Sequence, residues 1–185
     1  MGGSLPWERD EVVTVHPWYA VRVRTRQEKL IASLLEHRSY KTFVPLRRGR
    51  RRWSDRMKEI EQALFPGYVF CRFDINRRLP VLTTPGVLEV VGSGSAFIPV
   101  DEIEILNLQA VVASQICADP WPYQYIGQRV RVECGPLQGV EGFLQTVKTA
   151  DRLILSVSLL QRSVAVEIDQ RWVRPLEERS VFACA

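Results

Sequence analysis

Apolar residues along this chain change period in a way that predicts its elements one after another. From Trp18 to Arg24, Tyr19, Val21 and Val23 alternate with Ala20, Arg22 and Arg24, the two-residue period of a half-buried strand. Pro17 stands before it, where a missing N–H does no harm. Over residues 26–37 the period lengthens. Leu30/Leu34 and Ile31/Leu35 pair at i,i+4, which predicts an amphipathic helix. Tyr40 to Pro45 and Val87 to Val91 read as further strands. Tyr68 to Phe73 is almost wholly apolar and is expected at the centre of its sheet. A second helix is predicted from Asp101 to Ala113. Asp101 and Glu104 have capping-box spacing, and Ile103, Leu106, Ala110 and Val111 form the expected core face. Strands with helices laid on one sheet make an α+β sandwich.

Between Ser114 and Pro122 the periodicity stops, and Pro120-Trp121-Pro122 reads as a linker. Beyond it the two-residue period returns. Val130 and Val132 alternate with Arg129, Arg131 and Glu133. Leu153, Leu155, Val157 and Leu159 alternate with Ile154, Ser156, Ser158 and Leu160. Val164, Val166 and Ile168 follow. Several short strands in so few residues predict a small closed β-barrel, which hides its sheet edges. The expected organisation is a sandwich over residues 15–113, a linker over 114–122 and a barrel over 123–178.

Charge sharpens this division. The net charge is only +4, yet residues 22–58 carry thirteen Lys/Arg against three Asp/Glu, whereas residues 123–178 carry seven of each. This asymmetry suggests a polyanion or an acidic partner for the first half alone, the alternative being a solvated basic face. Five arginines, Arg47, Arg48, Arg50, Arg51 and Arg52, lead into Trp53. Guanidinium groups bind phosphate and an indole stacks on an unpaired base, so this arm is a candidate single-strand nucleic-acid site. The alternative is a solvated charged hairpin with Trp53 packed at its base. Shortly after the arm, Leu64-Phe65-Pro66-Gly67-Tyr68-Val69-Phe70 enters the apolar strand through a Pro-Gly turn. Alternation puts Tyr68 and Phe70 on one face, as core or as contact surface, and Phe65 is expected as the exposed anchor.

No catalytic constellation is legible. The four cysteines are scattered, neither histidine stands at ligand spacing from them, and no Gly-rich phosphate loop or nucleophile motif is present. The expectation is a protein that is not an enzyme, with no metal and no cofactor. No apolar run reaches the roughly 20 residues that span a bilayer, and residues 1–10 lack the order of a signal peptide. A cytoplasmic location and no membrane contact are expected.

The order of elements resembles the NusG family of transcription elongation factors. Trp18-Tyr19-Ala20-Val21, Leu64-Phe65-Pro66-Gly67-Tyr68-Val69 and Thr84-Pro85-Gly86-Val87 are similar to the family's amino-terminal (NGN) domain. Gly127, Val130, Val132, Gly135, Pro136, Gly139 and Gly142 match its SH3-like KOW barrel. Trp53-Ser54-Asp55-Arg56 and the run from Leu159 to Asp169 are similar to the specialised UpxY-like branch. The resemblance implies a monomeric antitermination factor that docks on the clamp helices of RNA polymerase's largest subunit and suppresses pausing or termination, with dedicated long operons as the targets of the specialised branch. The implied polymerase-binding residues are Tyr19, Phe65, Pro66, Tyr68, Phe70, Thr83 and Thr84. The arginine arm would reach the nontemplate DNA strand. The family's housekeeping member has aromatics where this chain has Leu137, Val140 and Leu160, and a glycine where it has Gln161. Those aromatics serve Rho and a ribosomal protein, so both partnerships are in doubt here. The rival reading is a KOW-type RNA- or ribosome-binding protein, for which the neutral barrel is a poor match.

Overall fold

The computed structural model describes residues 16–52, 57–93, 96–121, 127–147 and 150–176. The first half runs β1 (Trp18–Val23), α1 (Glu28–Glu36), β2 (Lys41–Phe43), β3 (Leu46–Arg52), β4 (Met57–Ala63), β5 (Tyr68–Arg72), α2 (Leu79–Leu82), β6 (Val87–Val90), β7 (Gly92–Ser93), β8 (Ala96–Phe97) and α3 (Glu102–Ser114). The second half is β9 (Ala118–Trp121), β10 (Gln128–Val132), β11 (Glu141–Val147), β12 (Ala150–Val157), β13 (Arg162–Glu167) and β14 (Val173–Pro175).

A four-stranded sheet in the order β2-β5-β1-β6 forms the sandwich, with β1 antiparallel to both β5 and β6. The apolar β5 is internal, as its composition demands. Strand β1 departs from the half-buried expectation: Trp18 to Val21 and Val23 are all buried. Its two faces feed different cores. Tyr19, Val21 and Val23 pack with Ile31, Leu35, Val69, Cys71 and Phe73 beneath α1, while Trp18 and Ala20 join Phe65 and Phe70 in the cluster that α3 and the barrel share. Alternation with arginine suggested one wet face; packing on both sides of the sheet covers every residue of β1 but Arg22, which pairs with Glu89 in solvent.

Helix α3 corrects the expected core face. Ile105, Leu108 and Val111 are buried, whereas Ile103 and Leu106 are 43% and 49% exposed. This helix is apolar nearly all round, so period alone could not choose its buried stripe. Asp101 does cap it, accepting from Ile103 N at 3.0 Å. Glu104 does not close a capping box; its carboxylate instead accepts from Ser158 N at 3.1 Å and Ser158 Oγ at 2.6 Å.

The second half is a six-stranded sheet in the order β14-β10-β11-β12-β13-β9. Two expectations change here. The sheet is open, with β14 and β9 as its edges, rather than a closed barrel. And Ala118–Trp121, inside the stretch read as linker, pairs with β13 in the register Ser163↔Trp121 to Val166↔Ala118. Pro120 is tolerated because β9 is an edge strand. Val130, Val132, Leu153, Leu155, Val157, Val164 and Val166 fill the inner core, as their alternation predicts. Ile154 and Ala165 point the opposite way yet are only 1% and 3% exposed. They lie side by side across β12 and β13.

Candidate interaction surfaces

The turn into β5 is built by two features. Gly67 adopts φ +85°, a backbone conformation that strains an L side chain. Its N–H donates to the Glu28 carboxylate at 2.7 Å, and Arg26 N donates to the same oxygen at 3.1 Å. Glu28 is 6% exposed, so these backbone donors compensate its burial. The carboxylate thereby ties the start of α1 to the Pro66-Gly67 turn. This residue was missed in the sequence reading, and i,i+4 counting gives no signal for it, because its partner is 39 residues away.

The predicted polymerase-binding residues separate onto two sides of the sheet. Phe65 is 1% exposed and meets Phe70 edge to face with ring centroids 6.0 Å apart, while Phe70 also stacks on Phe43 at 6.2 Å. The expectation of an exposed Phe65 is therefore corrected. Its place immediately before a turn suggested exposure, but the ring folds back into the cluster that includes α3 and the barrel. Tyr68 shares that side; it is half-buried, with the Arg162 guanidinium 5.3 Å from its ring centre. Pro66 is exposed. Tyr19 lies on the opposite side, 5% exposed against Phe73 at 5.0 Å. Thr84 is 2% exposed, accepts from Arg38 Nη1 at 3.0 Å and donates to Pro80 O at 2.9 Å. Arg38 also donates to Pro80 O at 2.6 Å. Thr83 alone of the pair is exposed, with its hydroxyl on Pro80 O at 3.3 Å. Arg38 thus fixes the turn that presents Thr83.

The two halves of the molecule meet through few polar contacts around an apolar centre. Besides the Glu104–Ser158 pair, Asn107 Nδ2 donates to Glu141 O at 3.0 Å and its Oδ1 accepts from Glu141 N at 3.4 Å. Arg162 covers Tyr68, and Arg47 forms an ion pair with Asp119 on β9.

The arginine arm is the β3–β4 hairpin, in register from Leu46↔Ala63 to Arg52↔Met57. Arg47, at its base, also donates to Gln62 Oε1 at 3.0 Å. Arg48, Arg50, Arg51 and Arg52 are placed on β3 by that register, while Trp53 lies outside the described residues. In the all-β domain, Gly135 (φ +87°) admits the Trp172 ring, which a Cβ there would meet at 2.9 Å. Gly127, Gly139 and Gly142 occupy the turns and strands around it, Pro136 is exposed, and Val130 and Val132 are core. Leu137 and Val140 are 2% and 3% exposed, so these two replacements fill the interior. Gln161 sits at φ 49°, ψ 45°, the left-handed region that a glycine adopts without strain.

Among the described residues no group of three or more His, Cys, Asp or Glu is placed to hold a metal ion, and no helix is long and apolar enough to cross a membrane. The geometry consists of apolar and cationic surfaces on an α/β sandwich followed by an all-β domain. Such a construction is a two-domain fold, a mixed helix-and-strand domain followed by an all-β one.

Comparison with known proteins agrees. The family model described as "Transcription termination factor nusG" matches residues 16–109. The chain is 30% identical over 142 residues to the transcription termination/antitermination protein NusG of Lactococcus lactis, covering 72% of this chain and 74% of that one. It is 25% identical over 178 residues to the NusG of Thermus thermophilus, covering 82% and 94%. The chain belongs to the NusG family. A structure titled "Domain interaction in Thermotoga maritima NusG" shares the fold, at 19% identity and a TM-score of 0.54, over 87% of this chain and 97% of that one.

Proposed function

We propose that this chain is a transcription elongation and antitermination factor that acts as a stoichiometric ligand of RNA polymerase. Its family membership carries the reading, since the matched relatives are named for termination and antitermination. The sandwich, residues 15–113, is the polymerase-binding unit, and the barrel, residues 123–178, the second unit. The occupant of the sandwich is the coiled-coil clamp helices of the largest subunit. A helical hairpin needs an apolar surface with aromatic anchors at its centre. Phe65, Tyr68 and Phe70 supply one, flanked by Pro66, with Thr83 reaching a separate polymerase element.

Phe65 is covered in this arrangement, so docking requires the contacts between the halves to part. Among the described residues the polar contacts between the halves include Glu104 to Ser158, Asn107 to Glu141, Arg162 over Tyr68 and Arg47 to Asp119, around a shared apolar cluster. Bound across the clamp, the protein favours the active polymerase state by binding it more tightly than the paused state. No bond is made or broken. The hairpin meanwhile takes the nontemplate DNA strand. The protein works as a monomer in the cytoplasm, as a specialised paralogue, and without the Rho and ribosomal-protein contacts of the housekeeping factor. In the all-β domain Arg129 and Arg131 share the Glu141 carboxylate and Arg174 pairs with Glu133, and residues 123–178 carry no net charge to draw an RNA.

A pausing assay with the polymerase of the same organism tests this. Adding the protein shortens pause lifetimes, and affinity capture on the tagged chain recovers polymerase subunits. Unchanged pausing, or capture of ribosomal proteins without polymerase, would overturn the reading.

A further inference from the structure

The connection between the two halves is built unevenly. Helix α3 ends at Ser114, and its C-cap, Gln115, stands in the left-handed region at φ 57°, ψ 14°, where a non-glycine residue is strained. Ile116 and Cys117 then lead into β9, which begins at Ala118. Ser114 Oγ accepts from Ile116 N at 3.3 Å, a local bond that ties this turn to the helix behind it. A cavity of about 220 Å³ lies beside the turn, lined by Leu46 and Leu64 of the sandwich, Val112 and Gln115 of α3, and Ile116 and Cys117. Incomplete packing there gives the backbone room for the rotation a hinge needs.

From Ala118 onward the ties run to the all-β domain. Strand β9 is in ladder register with β13 along its length, from Ser163↔Trp121 to Val166↔Ala118. At its far end Trp121 Nε1 donates to Gln145 Oε1 on β11 at 3.3 Å, and the Arg152 guanidinium of β12 lies 5.1 Å from the Trp121 ring centre. The indole therefore clasps two strands beyond the one that β9 pairs with. Toward the sandwich, β9 offers the Asp119–Arg47 ion pair, whose side chains are 57% and 32% exposed. A pair so open to water is weak, whereas peeling a strand from its ladder gives up several backbone hydrogen bonds together.

We propose that Gln115–Cys117 is the joint between the halves, and that β9 stays with the all-β domain when they part. The inference rests on the reading that docking separates the halves, and it adds where the chain bends and which half the connecting strand follows. It also shortens the tether. Residues 114–122, which read as linker, would reach about 30 Å if extended, whereas 115–117 reach about 10 Å, at ~3.3–3.6 Å per residue. The all-β domain thus swings about the end of α3 and stays close to the surface it uncovers.

The test uses the full chain with C117S, C134S and C184S, so that introduced thiols react while Cys71 stays buried. Two cysteine pairs are compared. D119C/A165C joins β9 to β13 at directly opposed positions, a geometry a disulfide can span. R47C/D119C, joined by a short bismaleimide, ties β9 to the sandwich. Affinity for the polymerase of the same organism is read before and after joining, and melting curves confirm folding. The D119C/A165C disulfide leaves affinity within about twofold of the reduced protein, whereas joined R47C/D119C loses about tenfold or more, because the docking-competent population falls in proportion. The reverse order, or equal effects of the two joins, overturns the proposal. Should D119C/A165C fail to fold, hydrogen exchange of the unaltered chain decides. On binding polymerase, residues 115–117 exchange faster while 118–121 keep their protection, and loss of protection at 118–121 overturns the proposal. Failure of the unaltered chain to bind polymerase overturns the underlying reading, and the proposal with it.

Discussion

The turn into β5 and the β3–β4 hairpin are adjacent in the chain and opposite in physics. Leu64, Phe65, Val69 and Phe70 are all within 3% of full burial. The hairpin immediately before them forms its own two-stranded sheet, separate from the sheet of the sandwich. An aromatic residue beside a turn and an arginine beside a turn look equally available in sequence. Solvation separates them: burying a Phe side chain is favourable by about 1.5–3 kcal/mol, whereas burying an unpaired guanidinium is heavily penalised. The apolar segment was drawn inward by whatever apolar surface was nearest, here α3 and the all-β domain. The cationic segment was kept on a ribbon that the main sheet does not cover.

The largest effect that would sharpen this contrast is F65A. Removing the ring from a full cluster costs about 3–5 kcal/mol, read as a lower urea midpoint at unchanged slope, whereas R51A shifts stability by less than ~0.5 kcal/mol. Similar midpoints for the two variants would break the comparison and put Phe65 on the surface in solution. Next comes Glu28, which lies outside both segments in the chain but anchors the turn into β5. E28A leaves Gly67 N and Arg26 N without their acceptor and costs about 1–3 kcal/mol; E28Q, which keeps one carbonyl oxygen, loses less.

Smaller again is the effect of E104A. It removes the acceptor for Ser158 N and Oγ, and the contact between the halves weakens by about 1 kcal/mol. Hydrogen exchange reads this as faster exchange at Ser158 with Val130 unaffected. Equal acceleration at both would mean that the all-β domain itself had loosened. The smallest effect at neutral pH concerns Cys71, buried against α1's side of the sheet, where desolvation pushes its thiol from 9.0 up to about 12. The folded state therefore holds its proton more tightly than the unfolded chain. Its contribution to stability is complete below pH 9 and is lost as pH rises from there toward 12. At pH 8 the exposed Cys117 and Cys134 react with a thiol reagent and Cys71 does not. Rapid labelling of Cys71 would show that this side of the sandwich opens.

Much of the fold was legible because it rests on local periodicity. The first strand, the two longer helices, the central β5 and the inner valines of the all-β domain follow from two- and 3.6-residue repeats within single elements. The candidate site was less so. Arginine density located the hairpin, but only the structure shows that Arg47, at its base, is already engaged by Gln62 and by Asp119 of the second half. Thr83 and Thr84 read alike until Arg38, more than 40 residues earlier, takes the second as an acceptor. Trp53, a candidate from the start, lies outside the described residues.

The sequence by itself determined the first strand, the two longer helices, the central β5 and the inner positions of the all-β domain, that the charge gathers in the first half, and the family the chain resembles. These depend on neighbours within a few residues and on the sum of charges. Tertiary structure alone decided which face of α3 is buried, that β1 is covered on both sides, that Ala118–Trp121 becomes a strand, and that Phe65 turns inward. Each depends on surfaces far apart in the chain meeting, and the apolar pattern of one element does not name the partner that will cover it.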